Sequence, residues 1–369
     1  MRRTTNAVLT LAAVMSMATA VTLVAASAGV AAAHPAGVMP AHAPKPSSSP
    51  TPAPTATYTI TDLGSLGYGV SDGLAINATG QVTGYSYTGA TVPEPGTCCA
   101  NCYTNHKTPC VAHIYHAFSY SNGTMTDLGT LGGNYSQGRS INLSGEVVGS
   151  ADTSTGSSSF LWNGTKMTAL SGLNAYGIND SGQIAGTCGP DPGTHACLDS
   201  GGKITVLPNP NTFTPYNCGA SAINNNGQIL GNCDDTSSNL HAVLWQNGTP
   251  TDLGTLGGPQ AEAAGINNLG QVVGFAQTST DADHGFLWSN AKMTDLGLNF
   301  FPAAINDNGV IVGGNEIYSN GSLQNLNNLI PAGSGYQIQN ATAINDNGQI
   351  VAQAYTSTYQ THALLLTPH

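Results

Sequence analysis

Among the residue types able to do acid–base or metal chemistry, histidine recurs most regularly. Five copies occupy the same position of a repeated unit: His116, His195, His241, His284 and His362. A ring of imidazoles could bind metal or transfer protons. However, a residue that recurs from unit to unit more often solves the same packing problem in each, and ligands from different units lie far apart for one ion. We therefore predict a framework role, in which each histidine bonds a neighbouring loop.

The eight cysteines carry a second kind of chemistry, because an exported chain oxidises such residues to disulfides. Cys218 and Cys233 flank a predicted hairpin turn almost symmetrically, near opposite positions on its two strands. Cys188 ends one predicted strand, and Cys197 lies in the next strand of the same unit. Both arrangements predict cross-strand disulfides, Cys188–Cys197 and Cys218–Cys233.

The remaining cysteines lie in an insertion over residues 88–115. They are Cys98, Cys99, Cys102 and Cys110. Two local disulfides are the favoured interpretation. A zinc site that includes His106 or His113 is the alternative, weakened because the spacing lacks two clean C-x-x-C pairs. We accordingly predict no metal site and no cofactor.

Repeated acidic residues also have a structural explanation. The turns at residues 306–309 and 345–348 resemble calcium loops, but each offers one carboxylate, whereas calcium takes about six to eight oxygens. Plain turn chemistry is favoured there. The aspartate of a recurring Met-Thr-Asp-Leu stretch is interpreted as structural for the same reason as the histidines: Asp127, Asp252 and Asp295.

These residues belong to a repeat whose clearest copy is residues 266–274, with the pattern I-N-x-x-G-Q-[VI]-x-G. Asn-x-x-Gly favours a tight turn, because Gly tolerates positive φ and Asn bonds its own backbone. The flanking residues alternate apolar and polar, as strands do. The spacing is near 40 residues, the period of a propeller blade, except for a first interval of 65 residues. Seven copies begin at Ile76, Ile141, Ile178, Ile223, Ile266, Ile305 and Ile344.

Each unit contains four predicted strands. The first ends at Ile-Asn, and the second is Gln-Val-Val-Gly. The third carries an aromatic pair and ends in an Asn-Gly hairpin turn, as at residues 160–164 and 243–248. The fourth is Met-Thr-Asp-Leu. Trp162, Trp245 and Trp288 share one register in strand three, where packing between units is favoured over a sugar-stacking surface.

The two ends of the repeat complement each other. After Ile344 the chain supplies three strands and reaches His369 without a fourth, whereas residues 58–64 form a strand four with nothing before it. We predict that this strand completes the last unit and closes a ring, because an open array would leave unpaired edges. The predicted fold is all-β, a seven-bladed β-propeller of four-stranded blades over residues 58–369.

The sequence resembles the HAF-repeat family of extracellular bacterial repeat proteins, named after His-Ala-Phe. The matching stretches are residues 116–118, 241–245 and 284–288, together with the Met-Thr-Asp-Leu and Ile-Asn patterns that follow them. The likeness covers residues 58–369, and its third and sixth units are degenerate. It implies an exported bacterial protein and carries no particular activity.

The amino-terminal part is predicted to lie outside the propeller. A short basic start precedes an apolar, Ala-rich run, and small-residue sites follow. Residues 1–33 are therefore interpreted as a signal peptide, cleaved after Ala28 or Ala33. Residues 34–57, rich in Pro, Ser and Thr, are interpreted as a flexible spacer. These features predict a secreted, extracellular monomer with no membrane span after cleavage.

Composition argues against two classes of partner. The net charge is −11, and only 7% of residues are charged. Nucleic acid and anionic membranes are recognised largely through Lys and Arg, so neither is a predicted partner. The basic residues within the predicted propeller are few: Lys107, Arg139, Lys166, Lys203 and Lys292.

A functional site is expected where the repeat breaks. The Cys-rich insertion 88–115 joins strands two and three of the first blade, and variable loops join the same strands in other blades, so all share one face. Function on a rigid scaffold concentrates in such loops. The candidate ligand-contacting residues are Tyr103, His106, Lys107 and His113.

We predict a non-catalytic binding or interaction module for an extracellular polysaccharide, cell-wall material or a protein. One alternative is an exported polysaccharide lyase or hydrolase that uses His106, His113 or Tyr103 on the same face. A second alternative is a structural surface component. The chain carries no P-loop, H-E-x-x-H or dinucleotide pattern, so we assign no catalytic residue.

Overall fold

A computed structural model of the protein describes residues 57–93, 111–189, 194–210, 213–298 and 300–369. Within these residues the chain forms 28 β-strands and one short 3-10 helix. The strands make seven antiparallel sheets of four strands each, arranged as the blades of a ring. The predicted seven-bladed β-propeller is therefore confirmed.

In each blade, strands that follow one another along the chain are hydrogen-bonded neighbours. A first strand, β1 (Tyr58–Asp62), precedes the first blade. Blade 1 contains β2 (Ser71–Ile76), β3 (Val82–Pro93), β4 (Val111–Ser121) and β5 (Thr124–Asp127). Blade 2 contains β6 (Gly132–Ile141), β7 (Val147–Thr153), β8 (Ser157–Trp162) and β9 (Met167–Leu170). Blade 3 contains β10 (Asn174–Ile178), β11 (Ile184–Cys188), β12 (His195–Ser200) and β13 (Lys203–Val206).

The next three blades repeat this order. Blade 4 contains β14 (Phe213–Ile223), β15 (Ile229–Asp235), β16 (Leu240–Gln246) and β17 (Thr249–Asp252). Blade 5 contains β18 (Gly257–Ile266), β19 (Val272–Thr278), β20 (Asp283–Ser289) and β21 (Lys292–Leu298). Blade 6 has shorter strands, β22 (Ala304–Ile305), β23 (Ile311–Gly313), β24 (Glu316–Ser319) and β25 (Ser322–Asn325), followed by the 3-10 helix Leu326–Asn328.

Blade 7 combines strands from both ends of the described chain. Its strands are β26 (Tyr336–Ile344), β27 (Ile350–Thr356), β28 (Thr361–Pro368) and β1. β1 pairs antiparallel with β28, so that Ile60 lies opposite Leu366 and Asp62 lies opposite Leu364. The predicted closure of the ring by the amino-terminal strand is confirmed.

The repeated hairpin between strands one and two has a local explanation, seen clearly in blade 5. The Asn267 Oδ1 accepts hydrogen bonds from the backbone N–H groups two and four residues further on, at 3.1 and 2.9 Å. Gly270 adopts φ +74°, a conformation that favours glycine. Gly274 passes so close to the carbonyl oxygen of Glu262 that a Cβ would collide with it. The pattern thus encodes a turn and a close strand approach.

The hydrophobic core lies between the blades. The third strands of blades 1, 2 and 5 each contribute a fully buried phenylalanine: Phe118, Phe160 and Phe286. The cluster around Phe160 contains residues of both blade 1 and blade 2. Trp245 is buried, and its indole N–H donates to the carbonyl oxygen of Pro208, in the connection from blade 3 to blade 4, at 2.7 Å. The packing between blades predicted for this tryptophan is confirmed.

Both predicted disulfides between repeat strands are confirmed. Cys188 and Cys197 join β11 to β12, with their Cα atoms 5.9 Å apart. Cys218 and Cys233 are directly opposite one another on β14 and β15, with Cα atoms 4.1 Å apart. The other four predicted disulfide cysteines lie outside the described residues: Cys98, Cys99, Cys102 and Cys110.

The insertion in blade 1 begins and ends as an extension of two strands. β3 and β4 continue their pairing beyond the usual length, with Thr91 opposite His113 and Pro93 opposite Val111. Residues 94–110, and the predicted signal peptide and spacer, lie outside the described residues apart from Thr57. In the residues that the structure describes, no helix has the length and apolar content needed to cross a bilayer.

Candidate functional site

The meander order gives the propeller two distinct faces. The turns between strands one and two, and between strands three and four, emerge at one end of each blade, here called the turn face. The connections between strands two and three, and from each blade to the next, emerge at the other end, the loop face. The two faces use their side chains differently.

The turn face carries a closed circle of hydrogen bonds, here called the asparagine ring. In every blade, the asparagine that follows the repeated isoleucine donates from Nδ2 to the backbone carbonyl of its counterpart in the next blade, at 2.9–3.2 Å. All seven side chains are buried, with 2–6% of their surface exposed. The ring is formed by Asn77, Asn142, Asn179, Asn224, Asn267, Asn306 and Asn345.

The asparagine ring surrounds a cavity of about 190 Å³ lined by all seven repeat isoleucines. Its acidic residues are already engaged by neighbouring blades. Asp307 Oδ1 accepts from the backbone N–H of Asn268 at 2.7 Å, and Asp346 Oδ1 accepts from the backbone N–H of Asp307 at 2.8 Å. These carboxylates therefore satisfy backbone donors, and the turn face holds the blades together.

The repeated histidines pair with the repeated aspartates. In blade 1, His116 Nδ1 lies 2.9 Å from both carboxylate oxygens of Asp127, and His284 Nδ1 lies equally close to Asp295. The aspartate also accepts a hydrogen bond from the N–H of a glycine two residues on, as Gly129 donates to Asp127 at 2.7 Å. The framework role is thus supported, but the expected loop partner was wrong. The histidine bonds the end of strand four, because the outer two strands bring these residues side by side.

Blade 7 contains the same type of histidine–aspartate pair, formed here between β28 and β1. His362 Nδ1 lies 2.7 Å from Asp62 Oδ2, and the Tyr336 hydroxyl donates to the same oxygen at 2.7 Å. Burial alone would raise the pKa of Asp62, but hydrogen bonds from Gly64, Tyr336 and His362 outweigh it and hold that pKa below its usual value. A repeated pair is here completed by a residue some 300 positions away.

The loop face of blade 1 carries a continuous group of aromatic rings, here called the tyrosine patch. Tyr68 contacts His113 with ring centroids 3.8 Å apart and ring planes tilted by 32°. Tyr115 lies 5.2 Å from Tyr85 and 4.8 Å from Tyr135, the latter in blade 2. The patch consists of Tyr68, Tyr85, Tyr87, His113, Tyr115 and Tyr135.

The strand geometry explains how these rings meet. Tyr85 and Tyr87 alternate along β3 and so project from one face of the sheet. Tyr115 is directly opposite Tyr87 on β4 and therefore joins them on that face. Tyr68 comes from the connection into blade 1, where its backbone N–H donates to the carbonyl oxygen of Tyr87. The patch is therefore fixed by ordinary sheet pairing and one blade connection.

A partly buried carboxylate, Asp72, adjoins the patch, because Asp72 lies directly opposite Tyr85 on the neighbouring strand β2. Its Oδ2 accepts hydrogen bonds from the Tyr85 hydroxyl at 3.4 Å and from Gln353 Nε2 of blade 7 at 3.2 Å. Its Oδ1 is buried and meets no hydrogen-bond partner among the described residues. Burial raises the pKa of Asp72 to about 6, although the bond from Tyr85 acts in the opposite direction.

Of the predicted ligand-contacting residues, the structure places His113 within the tyrosine patch. Its Nδ1 is buried and has no hydrogen-bond partner among the described residues. Tyr103, His106 and Lys107 lie outside the described residues. No group of three or more His, Cys, Asp or Glu side chains is arranged for a metal ion in the described part of the chain.

Sequence reasoning missed Asp72 and the tyrosines. The alternating Tyr-Ser-Tyr at residues 85–87, beside the insertion, could have indicated the patch. The second strands of the other blades contain no such pair of aromatic residues. Residues 69–73 also spell G-x-S-x-G, but Ser71 begins a strand instead of a strand-to-helix elbow. Its hydroxyl donates to Gly64 and accepts from the Ala363 N–H, so it serves the framework.

Comparison with known proteins gives one partial family match. A family model described as "Protein of unknown function (DUF3466)" matches residues 245–364, in the carboxyl-terminal region. No curated protein matches the sequence.

Several solved structures are similar to this chain. They include TolB from Acinetobacter baumannii (10% identity, TM-score 0.41, 69% of this chain and 60% of that chain) and an acylaminoacyl peptidase from Pyrococcus horikoshii (9%, 0.48, 80% and 51%). The Aleuria aurantia lectin, solved with α-methyl-L-fucoside, is 11% identical, with a TM-score of 0.34 over 85% of this chain and 97% of the lectin. The chain thus spans about half to three fifths of the first two proteins. Identities this low carry no inference about ligand or activity.

Proposed function

We propose that the protein is a secreted carbohydrate-binding module whose ligand contacts the tyrosine patch. The single observation that carries this proposal is the group of six adjoining aromatic rings, contributed by blade 1, the connection that precedes it and the first strand of blade 2. Tyrosine suits a sugar because its ring offers an apolar face to the sugar ring while its hydroxyl exchanges hydrogen bonds. The loop face is also where variable connections gather.

The repeated polar side chains are poor candidates for the site. The asparagine ring is buried and bonded from blade to blade, and the paired histidines bond the aspartates of strand four. By contrast, Tyr68 is 45% exposed, and the other rings of the patch are only half-buried. Aromatic surface that reaches solvent without serving the framework is available to a ligand.

The cellular setting that we propose follows from the chain's ends and cysteines. Residues 1–33 act as an export signal, residues 34–57 as a spacer, and residues 58–369 as a monomeric binding domain of the HAF-repeat type. The disulfides Cys188–Cys197 and Cys218–Cys233 fit an oxidising compartment, where such bonds persist. The acidic charge argues against nucleic acid as a ligand.

Polysaccharide retention tests this function. The secreted protein is run through gels that contain different soluble polysaccharides, alongside the variants Tyr68→Ala and Tyr87→Ala. We expect slowed migration in at least one polysaccharide, with affinity reduced about tenfold in each variant, because each removes a stacking face.

Tyr359→Ala is the matched control. Tyr359 is 86% exposed in the connection between strands two and three of blade 7, so its removal should leave retention unchanged. Equal loss in all three variants, or retention that is insensitive to Tyr68 and Tyr87, would argue against the tyrosine patch as the site.

Cleavage of the bound polysaccharide is the second candidate function. It is favoured by Asp72, a partly buried carboxyl beside the Tyr85 hydroxyl, because burial raises its pKa to about 6, in the range that suits a general acid. Chain shortening measured by the release of reducing ends, and abolished by Asp72→Asn, would support an enzyme. Retention without any release of ends would favour the binding module.

A further inference from the structure

A small cleft opens at the edge of the tyrosine patch, between blades 1 and 2. It encloses about 170 Å³ and is lined by Tyr115, Tyr135, Gln137, Ser150, Asp152 and Ser157, among others. Drug-sized ligands occupy roughly 300–1,000 Å³, so this cleft suits a group no larger than one sugar ring. Two aromatic rings, hydroxyls, an amide and one carboxylate therefore surround a space of defined size.

Among the described residues, the carboxylate of Asp152 takes no part in the hydrogen bonds that hold the strands and blades together. It accepts no hydrogen bond from the described residues, unlike Asp62, Asp127 and Asp295, which bond a histidine and a backbone N–H. Asp152 and Tyr115 line the same cleft. Burial, and after it the charge of Asp152, raises the pKa of the Tyr115 phenol. An acceptor thus faces the cleft beside an aromatic wall.

The repeat provides a direct comparison in blade 4. Asp234 stands three residues after Gly231, just as Asp152 stands three residues after Gly149. At the position equivalent to Tyr135, blade 4 has Asn217, whose Nδ2 donates to Asp234 at 2.7 Å. Blade 4 therefore satisfies its carboxylate internally, whereas blade 2 replaces that donor with a tyrosine ring.

Among the described residues, no basic side chain lines the cleft. Of the described basic side chains, Arg139 lies over the ring of Tyr176, 4.8 Å from its centroid. An anionic sugar would meet the Asp152 carboxylate without a compensating charge. A cationic group would instead gain a charge-assisted hydrogen bond from Asp152 and a cation–π contact with the tyrosine rings.

We infer that this cleft binds the protonated amine of an amino sugar, which makes a partly deacetylated polysaccharide the preferred ligand class. The inference rests on the proposed carbohydrate-binding function and adds the charge of the ligand. Asp152 receives the ammonium group, while Tyr115 and Tyr135 contact the sugar ring. The net charge of −11 favours the approach of a cationic polymer.

Calorimetry with a β-1,4-linked glucosamine hexamer and its fully N-acetylated counterpart tests this inference. We expect the full-length secreted protein to bind the glucosamine hexamer at least about tenfold more tightly. Asp152→Asn should abolish that preference and leave residual binding of the acetylated hexamer. Raising the salt to about 0.5 M should weaken binding of the cationic hexamer alone, since screening acts on charge.

Asp234→Asn is the matched control and should keep the preference, because its carboxylate already bonds Asn217. Unchanged circular dichroism and melting would show that each variant is folded. Equal affinity for both hexamers, or a preference that survives Asp152→Asn, would overturn the inference while leaving carbohydrate binding intact. Failure of both hexamers and of every polysaccharide to bind would overturn the proposed function itself.

Discussion

The turn face and the loop face of the propeller are built from the same blades but use polar residues in opposite ways. On the turn face, each asparagine of the ring bonds the next blade, and no blade departs from this pattern. On the loop face, blade 1 gathers Tyr85, Tyr87 and Tyr115 beside the partly buried Asp72. The residues that repeat hold the ring together, and those that do not repeat are free to contact a ligand.

This contrast explains why repetition is a poor guide to activity here. Each blade presents the same edge to its neighbour, so a side chain that solves that contact once solves it seven times. A ligand, however, contacts only one part of the ring. The blade that differs, with its strands β3 and β4 extended into the insertion, is therefore the informative one.

We expect the largest loss of stability when β1, the strand that completes blade 7, is removed. Deleting residues 57–64 takes away the β1–β28 pairing and the buried Tyr58 and Leu63. We expect the free energy of unfolding to fall by at least about 5 kcal/mol, from lost apolar burial and backbone bonds. Urea denaturation measures this. Deleting residues 40–50 of the predicted spacer is the control, and equal stability of the two deletions would refute closure by β1.

A single link of the asparagine ring provides the next test. Asn267→Ala leaves its backbone donors and the carbonyl oxygen of Asn306 without their partner, so we expect a loss of about 3–4 kcal/mol. Asn163→Ala is the control, because Asn163 bonds only its own exposed turn and should cost less than about 1 kcal/mol. Thermal melting and polysaccharide retention are measured together. If folded Asn267→Ala protein lost polysaccharide retention, this result would contradict a purely structural role for the turn face.

The pH dependence of stability sharpens the comparison on the loop face. The folded pKa of Asp72 is raised to about 6, so its contribution to stability is fully present below its unfolded pKa of 3.8 and is lost as the pH rises through 6. Relative to Asp72→Asn, the native protein should lose about 2–3 kcal/mol between about pH 4 and pH 7. Urea denaturation of both proteins at each pH measures the difference, and parallel curves would show that Asp72 is not desolvated.

The smallest effect concerns the histidine–aspartate pairs. Hydrogen bonds hold the pKa of Asp127 and of Asp62 below the usual value against the effect of burial, so each contributes stability at neutral pH that is lost as the pH falls through the folded pKa. Asp127→Asn should cost about 1 kcal/mol at neutral pH, and Asp62→Asn somewhat more, because it also loses the charged acceptor of Tyr336. Calorimetric melting compares them, and a larger loss for Asp127→Asn would contradict this order.

Much of the framework could be predicted from local residues. The turn at Asn267 and Gly270 depends on hydrogen bonds within four residues, and the Cys218–Cys233 disulfide depends on the register of one hairpin. Both are short-range features, so their spacing in the chain was sufficient. The partner of His116 was missed, because its bond to Asp127 depends on the pairing of two outer strands whose offset the pattern did not give.

The sequence alone determined the number of blades, the strand order and the completion of the last blade by a strand within residues 58–64, because these follow from counting repeats and matching an orphan strand to a gap. Only the tertiary structure decided what the polar residues do. Tyr115 meets Tyr135, and Asp72 meets Gln353, across blade boundaries. Whether Asn267 bonds Asn306 also depends on how adjacent blades are stacked. Contacts of that kind arise from packing between units, which a pattern within one unit does not contain.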